Sequence, residues 1–260
     1  MICKICSSNA QQVFISKILS KYDVKYFKCN ECGYLFTEEP FWLMEAYSRP
    51  INLSDTGLLD RNIYFSKIIS VFVYFFLGKK GIFLDYAGGY GAFTRLMRDI
   101  GFDFYWHDPY TKNLFANGFE QEKAPGIKFD ALTVFEVFEH LINPKEELSK
   151  MLQLSDTIIF STELMPLEIP EPKDWWYYGL NHGQHISFYS EKTLYTLAHL
   201  NRMNYYNLKG IHIITKKKYS ITLLVLIKKL IFIGLDQIVR KLVKSKTFSD
   251  HLSIEYNSNK

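Results

Sequence analysis

Between Ile82 and Thr162, short apolar runs alternate with longer segments in which apolar residues recur every three to four positions. A short apolar run bounded by turn residues reads as a buried strand, and the slower recurrence reads as a helix that packs by one face. The pattern predicts strand Ile82–Tyr86, helix Ala92–Ile100, strand Phe104–His107, a short helix or loop, strand Ala131–Phe135, helix Pro144–Leu152 and strand Thr157–Thr162. This is the rhythm of an α/β protein with a doubly wound, mostly parallel sheet. Downstream it predicts a helix over Glu191–Leu200, strands Tyr205–Lys209 and Ile211–Thr215, and an apolar, lysine-bearing helix from about Ser220. Upstream, Val24–Phe27 alternates like a strand, one helical turn surrounds Trp42–Tyr47, and an apolar helix over Arg61–Leu77 stops at Gly78-Lys79-Lys80-Gly81.

Four segments result: a cysteine module over 1–38, a connector and leading helix over 39–80, the α/β domain over 81–218 and a basic, apolar helical tail over 219–260. Turn residues Pro50, Asn52, Ser54, Asp55 and Gly57 mark the connector. At 260 residues and 48% hydrophobic content, the chain can build one α/β core and a small module. The aromatic share of 17% suits pockets for planar or sugar-like ligands.

The net charge of +4 is concentrated late, in Lys216, Lys217, Lys218, Lys228, Lys229, Arg240, Lys241, Lys244 and Lys246. The α/β segment carries no basic stripe interleaved with aromatics, which argues against a nucleic-acid partner. The start, MICKICSSNA, lacks the apolar stretch and cleavage site of a secretory signal, so a cytoplasmic setting with reduced thiols is expected. Ile68–Leu77 is too short to span a bilayer, and Ile221–Leu235 is interrupted by Lys228 and Lys229.

The four cysteines fall as two C-x2-C pairs, Cys3/Cys6 and Cys29/Cys32, separated by twenty-two residues. Each pair can present two thiolates from one tight turn, and two such turns complete a tetrahedron suited to Zn²⁺. Four thiolates leave no open coordination position, so the expected ion is structural. Gly33 ends the second knuckle, and the segment resembles a zinc ribbon. Buried free cysteines, a redox pair and an iron-bound version of the same tetrahedron are the alternatives.

Phe83-Leu84-Asp85-Tyr86-Ala87-Gly88-Gly89-Tyr90-Gly91 joins a predicted strand to a predicted helix, where backbone approaches a ligand closely in nucleotide-binding α/β folds. Asp85 ends the strand, and Asp108, twenty-three residues on, ends the next one, where a carboxylate can accept ribose hydroxyls. A dinucleotide enzyme shares this arrangement but uses a full G-x-G-x-x-G. Here the turn resembles the first motif of the class I, Rossmann-like S-adenosylmethionine-dependent methyltransferases, with Ala87 in place of the first glycine. That substitution is awkward if residue 87 must take a positive φ. Phe129-Asp130 through Glu136-Val137-Phe138-Glu139-His140-Leu141 resembles a later motif of that family. The resemblance implies that Phe135 and Glu136 neighbour the cofactor beside Asp85, Ala87, Gly88, Gly89, Gly91 and Asp108. Glu139 and His140 read equally well as ligands or as a polar pair that fixes the loop.

Methyl transfer to a hydroxyl or a carbon acid needs alignment and a base. His182 and His185 lie in the aromatic stretch Trp175 to Ser190, which follows a predicted strand. Gly183-Gln184-His185-Ile186-Ser187-Phe188-Tyr189-Ser190 resembles a stretch of zinc-containing sugar C-methyltransferases, with Gln184 where that family has glutamate. With Glu45-Ala46-Tyr47-Ser48, Asp55-Thr56-Gly57-Leu58 and Arg61-Asn62, the chain also resembles methyltransferases associated with bacterial surface polysaccharides. The resemblance implies His185, Gln184 and Tyr47 as catalytic candidates and a small, sugar-containing acceptor. Two other readings remain: a non-catalytic nucleoside-binding module whose zinc ribbon recruits a partner, and an NAD-dependent sugar oxidoreductase. The tail, read as a helix over Ile221–Val243, is expected to pack on the domain or to make peripheral contact with an anionic membrane.

Overall fold

The computed structural model of the chain describes residues 1–48 and 55–258, so Pro50, Asn52 and Ser54 of the connector lie outside the described residues. The chain begins with β1 (Ala10–Ile18), β2 (Tyr22–Cys29), β3 (Leu35–Thr37), α1 (Leu43–Ala46) and α2 (Leu58–Phe72), which widens into a π-turn over Val73–Leu77. It continues with β4 (Ile82–Tyr86), α3 (Ala92–Ile100), β5 (Asp103–His107), β6 (Ala131–Val134), α4 (Pro144–Leu154), β7 (Thr157–Phe160) and β8 (Ser187–Phe188). It closes with α5 (Glu191–Leu200), β9 (Asn204–Asn207), β10 (His212–Thr215), α6 (Ile221–Ile231), α7 (Leu235–Leu242) and α8 (Thr247–Ser258). Six strands form one sheet in the order β5-β4-β6-β7-β10-β9, and four form another in the order β1-β2-β3-β8. The protein is thus an α/β fold with a mostly parallel central sheet.

Two compact units divide the chain: Met1–Ser54, Phe135–Gln153 and Ile158–Lys218 make the first, and Asp55–Val134, Leu154–Thr157 and Tyr219–Lys260 the second. This division differs from the four segments read along the sequence. The cysteine segment is not a separate bead, because β3 pairs antiparallel with β8, Leu35 opposite Phe188. The apolar face of β1, β2 and β3 is covered by residues drawn from more than a hundred positions later, a contact that no local pattern displays.

In the first unit, β1 and β2 form a hairpin closed by Leu19 and Ser20, both at positive φ (54° and 55°). Tyr26, Trp42, Trp175, Tyr177, Tyr178 and Phe188 build the core here. The aromatic richness of Trp175–Tyr189 is therefore largely packing: Tyr177 and Tyr178 are buried while Trp176 is exposed. This corrects the expectation that the aromatic excess lines a pocket. Large rings fill a core that short strands alone would leave thin.

In the second unit, β4 pairs in parallel with β5 and β6, Asp85 lying opposite Trp106 and Thr133. Phe83, Leu84, Phe104 and Leu132 are fully buried, as parallel strands covered on both faces require. The tail departs from the single helix expected over Ile221–Val243. Gly234 at φ 98° breaks it into α6 and α7, and α8 follows. A left-handed residue cannot continue a right-handed helix, so the apolar stripe turns a corner there. Asp250 of α8 is buried and holds Arg98 of α3 by two hydrogen bonds, Nε to Oδ2 and Nη2 to Oδ1, both 2.8 Å. Arg95 adds a third at 2.8 Å, and the Arg98 guanidinium stacks 3.6 Å from the centre of the Phe119 ring. Among the described residues, no helix is long and apolar enough to cross a membrane.

Candidate active site

The glycine-rich turn after β4 is held from within the second unit. Asp85 is buried, and its carboxylate accepts from Thr94 Oγ1 (3.0 Å) and Thr133 Oγ1 (3.1 Å). Burial outweighs those two hydrogen bonds and pushes its pKa up to about 7. A Cβ on Gly88 would lie 2.6 Å from Asp85 Oδ2, so only glycine lets the turn close over this carboxylate. Asp85 is thus set beneath the turn as its support, a location its place at the strand end did not reveal.

Ala87 adopts φ 58°, the left-handed region that glycine occupies at no cost. The first position of the turn therefore does demand positive φ, and the methyl of Ala87 is tolerated under strain. Strained backbone of this kind collects at ligand-binding turns. Gly89, at φ 55°, has open space where a Cβ would stand. Its amide donates to Asp108 Oδ2 (2.9 Å), and its carbonyl accepts from Trp106 Nε1 (2.8 Å) and Thr111 Oγ1 (2.8 Å). Asp108 Oδ1 accepts from the amides of Tyr110 and Thr111 at 2.8 and 2.9 Å. Three backbone donors orient the half-buried Asp108 carboxylate; Oδ1 is filled by two of them, and Oδ2, with one, keeps acceptor capacity for a ribose hydroxyl. Gly91 completes the turn and caps α3. Its open backbone and oriented carboxylate fit the nucleoside end of S-adenosylmethionine.

β6 passes directly into Phe135 and Glu136, both half-buried residues of the first unit. Glu136 also has positive φ, 54°, and a reciprocal pair of bonds secures it. Its amide donates to Ser161 Oγ (2.9 Å), and Ser161 Oγ donates to Glu136 Oε1 (2.5 Å).

Within the first unit, a short turn over Phe138–His140 meets the Gln184–His185 segment. The amide of Ile186 donates to the carbonyl of Glu139 (2.9 Å), and the His140 and His185 rings meet edge-on at 4.9 Å. His185 Nδ1 donates to the Tyr177 carbonyl (2.6 Å), and His140 Nδ1 donates to the Gln184 carbonyl (3.1 Å). Carbonyl oxygens only accept, so both rings carry their proton on Nδ1 and leave Nε2 with a lone pair. Burial lowers the His140 pKa to about 4, and burial reinforced by His140 lowers that of His185 to about 2. Both rings are neutral at pH 7. Glu139 is fully buried, and burial with the nearby Glu136 charge pushes its carboxyl up to about 8. The three side chains offer donor atoms within 4.8 Å of one another.

Tyr47 lies 3.0 Å from His140 Nδ1 through its hydroxyl and is partly exposed. The Gln184 side chain is buried and donates to the Ala46 carbonyl (2.9 Å), which ties the histidine loop to α1. Of the three catalytic candidates, His185 and Tyr47 thus converge on His140, while Gln184 contributes its backbone carbonyl to the cluster and its amide to the scaffold. Nothing local in the sequence joins Glu139 and His140 to His185. The signal available was the Glu-His dipeptide directly after a strand; its partner stands forty-five residues away.

The cysteines gather as their spacing predicts. Cys3 Sγ lies 3.6 Å from Cys32 Sγ, Cys6 Sγ lies 3.4 Å from Cys29 Sγ, and all four sulfurs fall within 4.8 Å of one another. Four thiolates on a tetrahedral ion at about 2.3 Å stand close to this spacing. No disulfide joins them. The amide of Ile5 points at Cys3 Sγ (3.4 Å). The hydrogen bond between Cys3 and Cys32 draws the Cys3 thiol down and pushes the Cys32 thiol up, and burial raises that of Cys29.

A parallel sheet carrying a strained glycine-rich turn and an aspartate after the next strand is a Rossmann-like arrangement, the one that class I S-adenosylmethionine-dependent methyltransferases use. The family model described as "Methyltransferase domain" matches residues 61–208, and the chain belongs to that family. No curated protein matches the chain. Among solved structures, it is similar to TnmH at 12% identity and a TM-score of 0.46, with 68% of this chain and 60% of that one covered. It is also similar to CalO1, a methyltransferase in calicheamicin biosynthesis, at 10% identity and a TM-score of 0.43, with 67% and 61% covered. Similarity to the Burkholderia thailandensis 1,6-didemethyltoxoflavin-N1-methyltransferase is 13% identity with a TM-score of 0.47, covering 80% of this chain and 100% of that one. The chain thus spans about 60% of the length of TnmH and CalO1.

Proposed function

We propose that this protein transfers a methyl group from S-adenosylmethionine to a small acceptor, a sugar or sugar-containing molecule of surface-polysaccharide assembly. The observation that carries the cofactor half is the turn from Ala87 to Gly91, whose Gly89 amide is hydrogen-bonded to Asp108. When bound, the cofactor supplies an electrophilic methyl on a sulfonium. Asp108 Oδ2 would accept a ribose hydroxyl, Gly88, Gly89 and Gly91 would bring backbone close to the nucleoside, and the family resemblance implies Phe135 and Glu136 as neighbours of its methionine end. The resemblance of the Gly183–Ser190 stretch to sugar methyltransferases supports the acceptor class, and His185 acts on the acceptor's proton through its free Nε2. Tyr47 and Gln184 position the histidines, through His140 Nδ1 and the Gln184 carbonyl respectively.

Cys3, Cys6, Cys29 and Cys32 would hold a structural Zn²⁺; a site closed by four thiolates contributes to folding and takes no part in the chemistry. α6 and α7 would meet an anionic membrane surface through exposed Ile221, Leu223, Leu226, Phe232, Ile233 and Ile238, flanked by lysines.

Isothermal titration of the purified chain with S-adenosylmethionine tests the first half. Binding that is lost in Asp108→Ala supports it, and no heat of binding to the wild type rejects it. Incubation with nucleotide-linked sugars, read by mass spectrometry for an added methyl group, tests the second.

A further inference from the structure

The Glu139 carboxylate has no outlet for its charge. Among the described residues neither of its oxygens has a hydrogen-bond partner, and both are buried. Leaving two such acceptors bare in a protein interior costs several kcal/mol, so a buried carboxylate ordinarily has a cation or a proton against it. Its immediate neighbours, His140 and His185, cannot supply that cation themselves. Each has its Nδ1 proton committed to a backbone carbonyl, so each keeps an unprotonated Nε2. One metal-binding atom of each of the three side chains thus lies within 4.8 Å of the others, and either a proton on Glu139 or a cation between them satisfies the group.

We propose that Glu139, His140 and His185 form a second metal site in this protein, one that takes a divalent first-row transition cation such as Zn²⁺. The donor set is two imidazoles and one carboxylate, which suits zinc and its neighbours and disfavours Mg²⁺ and Ca²⁺, which prefer all-oxygen ligands. Ligands on zinc at about 2.1 Å stand roughly 3.3 Å apart, so the three side chains need only draw inward. The outer contacts also match: a metal-binding histidine usually donates its remaining N–H to a carbonyl or carboxylate, which fixes the ring and the tautomer. The Tyr177 and Gln184 carbonyls do this for His185 and His140. The Ile186 amide bond to the Glu139 carbonyl locks the two ligand-bearing segments together.

This site differs from the cysteine cluster in kind. Four thiolates close a tetrahedron, whereas two histidines and a glutamate leave a position for water or a substrate oxygen. The inference deepens the acceptor half of the proposed function: the open position is where an acceptor hydroxyl would sit, and His185 Nε2 then serves as a ligand rather than as a free base. It rests on methyl transfer only for the identity of that oxygen.

The test counts metal. Wild-type chain, Glu139→Gln and His185→Ala are loaded with ZnCl2, desalted and measured by plasma mass spectrometry. The expectation is a fall of one zinc per chain in both variants, with the cysteine-bound zinc retained. Equal zinc in all three proteins overturns the site and leaves a protonated Glu139 as the group's resting state. If a variant does not fold, X-ray absorption on the zinc-loaded wild type decides. Nitrogen and oxygen scatterers beside sulfur support the site, and an all-sulfur spectrum rejects it. Titration of the wild type with S-adenosylmethionine is run in parallel. Cofactor binding with no metal difference removes only the metal site, and a metal difference without cofactor binding removes only the methyltransferase reading.

Discussion

The main-chain amide of Ile186 donates to the carbonyl of Glu139 at 2.9 Å, and this bond, with that of His140 Nδ1 to the Gln184 carbonyl, brings two distant segments of the chain into one cluster. On one side of it Glu139 and His140 follow the end of β6. On the other, His185 precedes β8, the strand that completes the N-terminal sheet. The histidine loop is therefore shared between the cysteine-bearing sheet and the candidate catalytic cluster, and damage to either should be felt by the other.

On the proposal that the four cysteines hold Zn²⁺, metal removal tests that link. Chelation by a strong thiol-competing ligand should loosen β1, β2 and β3 and, through the pairing of Leu35 with Phe188, free the His185 segment. Hydrogen exchange should show faster exchange at Ile186 as well as at the strands around the cysteines. Unchanged protection at Ile186 would separate the sheet from the cluster.

Ala87 offers a test of stored strain. A non-glycine residue at φ 58° costs on the order of 1 kcal/mol, so Ala87→Gly should stabilise the chain by about that amount. For a protein of this size the corresponding rise in Tm is about 2–4 °C. Affinity for S-adenosylmethionine should be kept or improved. A fall in Tm would show that the turn relies on the alanine methyl rather than tolerating it.

Asp85 should make stability depend on pH. Burial raises its folded-state pKa from the ordinary 3.8 to about 7, so the folded chain holds this proton more tightly than the unfolded one. The Asp85 contribution is fully present below pH 4 and is lost as pH rises towards 7. Urea unfolding of wild type and Asp85→Asn between pH 5 and pH 8 should show the wild type losing stability relative to the variant. Parallel curves would mean that Thr94 and Thr133 already compensate the charge.

Asp250 carries the opposite sign. Burial pushes its carboxyl up, but the hydrogen bonds from Arg98 and Arg95 outweigh that and hold it below the usual aspartate range. Its contribution is present above the ordinary carboxylate pKa and is lost as pH falls through the lowered value. Asp250→Ala leaves the buried Arg98 guanidinium with only Asp103, 3.5 Å away, and the Phe104 carbonyl, so the cost should be below the roughly 3 kcal/mol of a wholly unpaired buried charge. Chemical denaturation should show that loss, and limited proteolysis should cut first within α8. The same variant with wild-type stability would show that the pair is expendable.

Vesicle pelleting examines the tail. Binding to vesicles rich in anionic lipid, weakened by salt and by Phe232→Asp with Ile233→Asp, is the expected outcome, since both side chains are exposed beside Gly234. Equal pelleting of wild type and variant would leave α6 and α7 as a purely protein-facing pair.

Much of this molecule is legible without coordinates. Strand Ile82–Tyr86, helix Ala92–Ile100 and helix Glu191–Leu200 fall at the bounds their periodicity implies. Buried parallel strands and amphipathic helices write their surroundings into neighbouring residues. The cysteine tetrahedron is equally local in logic, because two C-x2-C turns have few other uses. The sequence by itself thus determined the α/β class, the glycine-rich turn and the four sulfurs. Only the tertiary structure decided that residue 87 takes left-handed torsions, that the tail breaks at Gly234, that Trp175 to Phe188 supplies a core, and that Glu139 and His140 share a site with His185. Those outcomes depend on which distant segments pack together and on what burial does to a carboxylate. Both are properties of the assembled interior, and no window along the chain contains them.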